Sequence, residues 1–531
     1  MNHATVVPIV LPALAAALML LDRRIASQRA LAWLSTLLLA GGAAWLVALA
    51  DDGWRGVYLL GNWAAPWGIA LIADRLSSMM VALTALVALI ALGAARAGAW
   101  DTRGEHFHPL FQVQLMGLNG AFLTGDLFNL FVFFEVLLIA SYGLLVHGDG
   151  AARITAGLRF VTLNLVGSSL FLIAASLLYG VTGTLNLADM SVRIAELEGG
   201  PATLARIGGW LLLTVFCLKA AILPLYFWLP GTYSAASPPV AALFAVMTKV
   251  GIYAVLRVFT LVFGASAGLL ADAAFPWIVG IAAAGYATAM LGALAGRDLR
   301  ALTAMLVIAS AAFLLIGIGL ATERSLASAL YYLPHTTLSA AALFLVADLV
   351  ERGRGDASDQ LRTGPAPLRP AAVGVLFFAA AIAIAGLPPF GGFIAKAMLL
   401  GAMLPEVASA AAPDAVTAWL WAAVLAGSLL AMIALARAGS ALFWKVTDIR
   451  ASTLPKPADA TSERGAPATA DLLPVVVALV AIALIAVAAA PLQRYAQATA
   501  RDLLEPAALV DQVRGTVPRP GPHQPAPETV R

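Results

Sequence analysis

Long, nearly uncharged apolar stretches recur from residue 5 to residue 492 of this 531-residue chain, and that recurrence is the strongest constraint on its fold. About 20 apolar residues are needed for a helix to cross roughly 30 Å of hydrocarbon. On that criterion fourteen spans are expected, near residues 5–21, 30–50, 75–95, 109–125, 127–147, 160–182, 208–230, 238–263, 273–295, 300–320, 325–350, 371–404, 415–445 and 471–492. Only helices or closed barrels satisfy backbone polar groups in lipid, so these lengths predict an all-α polytopic membrane protein. Composition agrees: 61% of residues are hydrophobic and 11% charged, against about 25% charged in soluble domains.

The charge balance excludes other classes. Lys+Arg number 32 and Asp+Glu 29, for a formal charge of +3, which is too even for a nucleic-acid binder. The six His are scattered and Cys217 is the only cysteine, so neither a metal cluster nor a disulfide framework is expected. The N-terminus, MNHATVVPIVLPALAAALMLLDRR, has its basic residues after the apolar run. That order predicts a first membrane helix rather than a cleaved signal peptide.

Basic residues also orient the chain. The odd-numbered connections contain seventeen Lys and Arg, including Arg23, Arg153, Arg300 and Arg352, and the even-numbered ones contain five, Arg55, Arg75, Arg193, Arg206 and Arg324. The positive-inside tendency then predicts cytoplasmic odd connections and both termini outside. Residues 1–108 form the first three helices with an outer hairpin in the second connection. Residues 446–492 supply a cytoplasmic connection and the last helix, and the Pro-rich residues 493–531 are expected to be a disordered tail.

A charge at the membrane centre costs about 2.5 kcal/mol or more, so it calls for a partner, a cavity or a transport role. At ~1.5 Å per residue, Lys219, Lys249 and His335 come out ~16 Å into their spans and Glu135 ~12 Å. Lys396 lies in residues 371–404, which as one helix would be ~51 Å long. Its GLPPFGG run, with Pro388 and Pro389, predicts a break just before the lysine, and Pro224 predicts another just after Lys219. Interrupted helices in two halves of a chain mark transporter sites, since unwound backbone is tolerated only where it lines a cavity. For each group a structural role competes: an ion pair for Glu135, a buried helix contact for Lys219 and Lys249, a hydrogen-bonded core imidazole for His335, a carbonyl cap for Lys396. Arg257, eight residues past Lys249, either continues its polar face or is structural. Asp126, Asp348 and Arg437 stand near span ends, where solvated or snorkelling roles are expected.

The runs GDLFNLFVFFEVLL (125–138), KAAILPLYFWLP (219–230), MTKVGIY (247–253) and GLPPFGGFIAK (386–396) resemble the antiporter-like subunits shared by Mrp-type cation/proton antiporters and respiratory complex I. The chain looks most like the D subunit of the multisubunit monovalent cation/proton antiporters, especially of the potassium/proton (Pha) branch. The resemblance implies fourteen helices with two inverted five-helix repeats, here 109–263 and 273–445, and discontinuous seventh and twelfth helices. It implies a proton relay of Glu135, its partner Lys219, then Lys249, His335 and Lys396, in which separating the ion pair drives the Lys219 proton onward. It further implies a bacterial inner-membrane location, other subunits as partners, protons and K+ or Na+ as cargo, and no cofactor, metal or enzymatic activity. Related complex I subunits often carry His where this chain has Tyr226 and Tyr233, which favours the antiporter branch. Three other readings remain: a proton-pumping subunit of complex I or a membrane-bound hydrogenase, a lipid-modifying membrane enzyme, and a scaffold. The enzyme lacks an acidic or metal-binding loop motif beyond Asp189, Glu196 and Glu198, and five buried ionisable groups oppose the scaffold.

Overall fold

Apolar, Ala- and Leu-rich segments with capped ends fold here into helices almost throughout. The computed structural model describes residues 3–148, 150–404, 414–447 and 468–518. Its helices are α1 (Val7–Leu21), α2 (Ile25–Asp51), α3 (Arg75–Ala97), α4 (Phe107–Leu123), α5 (Leu127–Val146), α6 (Ala151–Thr182), α7 (Leu187–Ala195), α8 (Gly199–Lys219), α9 (Trp228–Ala235) and α10 (Pro238–Phe244). They continue with α11 (Met247–Leu261), α12 (Phe275–Ala295), α13 (Leu299–Gly319), α14 (Glu323–Glu351), α15 (Pro370–Ala385), α16 (Gly391–Ala402), α17 (Ala415–Gly439), α18 (Thr469–Val487), α19 (Ala489–Leu504) and α20 (Ala507–Gly515). Among the described residues, eleven helical segments are long and apolar enough to cross a membrane, which makes this an all-helical, multi-span membrane protein. Between α2 and α3, strands β1 (Gly56–Leu59) and β2 (Ala70–Ala73) pair antiparallel, Gly56 facing Ala73.

Local chemistry sets the helix starts. Asp74 caps α3 through the Ser77 amide while the Ser77 hydroxyl returns the bond, Asp126 caps α5 at the Asn129 amide, and Thr322 with Ser325 caps α14. A side-chain oxygen here satisfies an amide that would otherwise be orphaned at the first turn. The segment spanning α10 and α11 is buried along its whole length and α14 nearly so, whereas α2, α6, α17 and α18 show much of their surface outward. Lys249 and His335 therefore sit on the two helices at the centre of the bundle.

Ion pairs sort the connections into two groups. Asp502 on α19 binds Arg55 at 2.9 Å and Arg75 at 2.6 Å, Arg501 binds Glu323 at 2.7 Å, and Arg514 on α20 reaches Asp189 at 3.5 Å. His3 packs its ring on Tyr58. The connections that hold Arg55, Asp189 and Glu323, the first described residues, and helices α19 and α20 are thus linked to one another. Elsewhere Arg29 binds Asp101 at 2.7 Å, Arg300 pairs with Glu351, and Arg352 joins Asp348 and Asp471, both at 2.9 Å.

The tail corrects the expectation of disorder from residue 493. Membrane helix α18 stops at Val487, and residues 489–515 form α19 and α20. Their stripe of Tyr495, Ala496, Thr499, Ala500 and Leu503 is buried, against α14, α11 and α3. Helical spacing of those residues, hidden behind the Pro-rich end that follows, provides an apolar face with a docking site. Residues 448–467, in the connection after α17, and 519–531, at the end of the tail, lie outside the described residues.

Candidate functional site

Each of the three lysines expected at the midplane lies beside a discontinuity in its helix. Lys219 is the last residue of α8; Ala221 then takes a positive φ of 55°, and helix resumes at Trp228 beyond Pro224. Lys396 lies in α16, one turn past the gap between Ala385 and Gly391 that contains Pro388 and Pro389. Lys249 is the third residue of α11, just after a tightened turn in which the amides of Val246 and Lys249 bond carbonyls three residues back. This third interruption has no signal in the sequence, because ALFAVMTK contains neither Gly nor Pro.

The hydrogen-bond acceptors of all three lysines are neutral oxygens. Lys219 Nζ donates to Asn164 Oδ1 on α6 at 3.0 Å, Lys249 Nζ to Ser310 Oγ on α13 at 2.9 Å, and Lys396 Nζ to Ser428 Oγ on α17 at 2.9 Å and to the Ala385 carbonyl at 2.6 Å. Ser310 and Ser428 donate their own protons to the Val307 and Val424 carbonyls, which leaves a lone pair facing the ammonium. Such an oxygen accepts equally from an ammonium and from an amine, so the lysine keeps a partner whether or not it carries its extra proton.

Glu135, expected to touch Lys219, does not. The partly buried carboxylate accepts a hydrogen bond from Ser168 Oγ on α6, and no ion pair joins it to Lys219 among the described residues. Lys219 instead lies near the Phe134 ring, 5.9 Å from its centroid. The two charges approach α6 at residues 164 and 168, about 6 Å apart along its axis.

His335 and Lys396 flank the same break. His335 Nε2 lies 2.9 Å from the Ala383 carbonyl, which also accepts the Gly386 amide, and Lys396 donates to the Ala385 carbonyl, so both side chains bind carbonyls of the last turn of α15. A carbonyl only accepts, so Nε2 carries the proton, and the buried Nδ1 has no partner among the described residues. Gly386 turns the chain at φ 70°, and a Cβ at Gly392 would come within 2.6 Å of His335 Nε2 and 3.0 Å of Gly386 Cα. Substituting Gly392→Ala should push the imidazole off Ala383 at an overpacking cost of about 1–3 kcal/mol. We expect ion flux in membrane vesicles to fall while subunit assembly survives. Gly401→Ala, where a Cβ meets nothing within 4 Å, should behave as wild type.

Arg257 belongs to a different cluster. It makes a two-pronged pair with Asp74 at 2.6 and 2.8 Å, and its Nε donates to Tyr253 Oη, which donates to the Phe122 carbonyl. It locks α11 to the start of α3 rather than extending the polar face of Lys249. Asp348 likewise pairs with Arg352, and Arg437 donates to the Gly296 carbonyl. Asn164, Ser168, Ser310 and Ser428 escaped sequence reasoning. Their sole sequence signal is a small polar side chain one or two turns from a midplane charge on a neighbouring span.

A bundle of membrane-length helices interrupted beside buried lysines defines the class, a multi-span membrane protein with charged groups enclosed among its helices. Residues 124–412 match the family described as NADH:quinone oxidoreductase/Mrp antiporter, TM, and the chain belongs to that family. It is 42% identical over 549 residues to the D subunit of a probable K(+)/H(+) antiporter of Rhizobium meliloti, covering 98% of this chain and 99% of that one. Identity to the D subunit of the Na(+)/H(+) antiporter of Alkalihalophilus pseudofirmus is 36% over 412 residues, covering 76% and 82%. A chain of the solved Mrp complex from Dietzia sp. DQ12-45-1b superposes with a TM-score of 0.81 at 26% identity, covering 97% of this chain and 100% of that one. Within the family its place is with the D subunits of the Mrp-type antiporters, relatives of complex I.

Proposed function

We propose that this chain is the proton-translocating subunit of a multisubunit monovalent cation/proton antiporter of a bacterial inner membrane, and a transporter component rather than an enzyme. Protons pass through Glu135, Lys219, Lys249, His335 and Lys396, with K+ or Na+ as the exchanged cation. The observation that carries this reading is the placement of three buried lysines, each beside a helix discontinuity and each hydrogen-bonded to a neutral oxygen. Purely structural cations at membrane depth are expected to sit against carboxylates, as Arg257 does against Asp74. His335 adds a buried Nδ1 with no partner among the described residues, which leaves its lone pair open to a proton.

In this reading the eleven long spans are completed by α1, by α4 and by α15 with α16, to make fourteen. The seventh is α8 with α9, the twelfth α15 with α16, and residues 109–263 and 273–445 are the inverted repeats. The exposed stripe Phe128, Val132, Ile139 and Val146 on α5 has the partly buried Glu135 at its centre, and another subunit is its natural cover because lipid solvates a carboxylate poorly. The odd-numbered connections face the cytoplasm.

The test is cation-dependent proton flux in everted vesicles of an antiporter-deficient host expressing the whole complex. Lys249→Gln should assemble and lose flux; wild-type flux in that variant would rule out a relay through α11. Single cysteines in the connections around Arg153 and Arg352, at the exposed Ala152 and Asp356, in a Cys217→Ser background, should resist impermeant thiol reagents added outside intact cells. Ready labelling would invert the orientation.

A further inference from the structure

Helix α6 carries two small polar side chains, Asn164 and Ser168, on successive turns of one face, both buried. Each is committed to one of the two charges. The Asn164 amide nitrogen donates to the Phe160 carbonyl at 2.8 Å, which turns its oxygen toward Lys219 Nζ at 3.0 Å. Ser168 Oγ lies between two acceptors, the Glu135 carboxylate and the Asn164 main-chain carbonyl at 3.0 Å. One proton cannot serve both fully. When Glu135 is ionised the hydroxyl donates to it; when Glu135 is protonated it donates to Ser168, whose own proton turns to the Asn164 carbonyl. The same atoms therefore satisfy both charge states of the acid without moving the backbone.

We propose that Asn164 and Ser168 are positioning residues which hold Glu135 and Lys219 apart on α6, so that neither charge is neutralised by direct contact and the lysine stays able to release its proton. The proposal rests on the relay reading above, in which Glu135 and Lys219 both act. It makes α6 the spacer of the switch: a carboxylate at position 164 would give Lys219 a contact partner and pin its charge, and loss of the Ser168 hydroxyl would leave Glu135 without its donor.

The experiment uses the whole complex, with cation-driven proton flux in vesicles and infrared difference spectra on cation addition, the Glu135 carboxyl band being assigned by its loss in Glu135→Gln. Asn164→Asp should assemble and lose flux by about a hundredfold or more. Ser168→Ala should shift the Glu135 band and lower maximal flux about tenfold, and Ser168→Thr, which restores a hydroxyl, should return both. Ser169→Ala, whose exposed hydroxyl bonds the Leu165 carbonyl and no other group among the described residues, should match wild type. Wild-type flux in Asn164→Asp, or an unshifted band in Ser168→Ala, overturns the positioning role. If Glu135→Gln and Lys219→Gln also transport normally, the relay reading falls with it; if those two are inactive, the positioning role falls alone.

Discussion

Lys219→Arg should assemble normally and yet lose cation-driven proton flux by at least about a hundredfold, the scale of a missing acid–base group. The guanidinium can still donate to Asn164, so the contact that places Lys219 is retained. What is lost is titration, because an arginine with a pKa above ~12 stays charged inside proteins. Lys219→Gln should lose flux as well, through absence of the charge. Comparing assembly and flux in vesicles for the two variants separates charge from proton carriage. An arginine variant that transports like wild type would make Lys219 an electrostatic fixture, and the relay would then begin at Lys249. Glu135→Ala should likewise abolish flux, and adding Lys219→Ala to it should make matters no worse. Groups that act as a unit give such non-additive losses.

Removal of Arg257 should instead damage the fold. Its side chain is 3% exposed and that of Asp74 9%, so Arg257→Gln leaves a buried carboxylate without its cation. Breaking a pair of this kind costs about 3–5 kcal/mol, whereas replacing both members by neutral groups often costs little. Arg257→Gln should therefore lower the melting temperature of the purified complex sharply, and Asp74→Asn with Arg257→Gln should recover most of it. A double variant no more stable than the single one would show that the guanidinium acts chiefly through Tyr253. The contrast with Lys219 is chemical: arginine paired to a carboxylate fixes two helices, while a lysine held by a neutral oxygen keeps its acceptor in either charge state.

How much was legible in the linear chain depends on the cost of each feature. A lysine or a glutamate in an apolar run is expensive wherever it occurs, so Glu135, Lys219, Lys249, His335 and Lys396 announced themselves. Pro224, Pro388 and Pro389 remove backbone donors locally, so the gaps near residues 219 and 386 were readable without any knowledge of packing. The span pattern, and with it the membrane class, follows from runs of apolar residues long enough to cross hydrocarbon.

Other features depend on neighbours far away in the chain. Asn164 and Ser168 cost little in a membrane helix because each bonds a carbonyl one turn back on α6, so nothing marks them until the fold brings Lys219 and Glu135 alongside. The same holds for Ser310 beside Lys249 and Ser428 beside Lys396, separated by 61 and 32 residues. Arg257 and Asp74 are 183 residues apart, and neither residue type names the other. The tail shows the reverse case, since its helical face was present in the residues but gained a reason to fold only from the surface of α14, α11 and α3 that receives it. Costs borne within one segment are written in that segment, whereas a hydrogen bond between segments exists only once packing has chosen which helices meet.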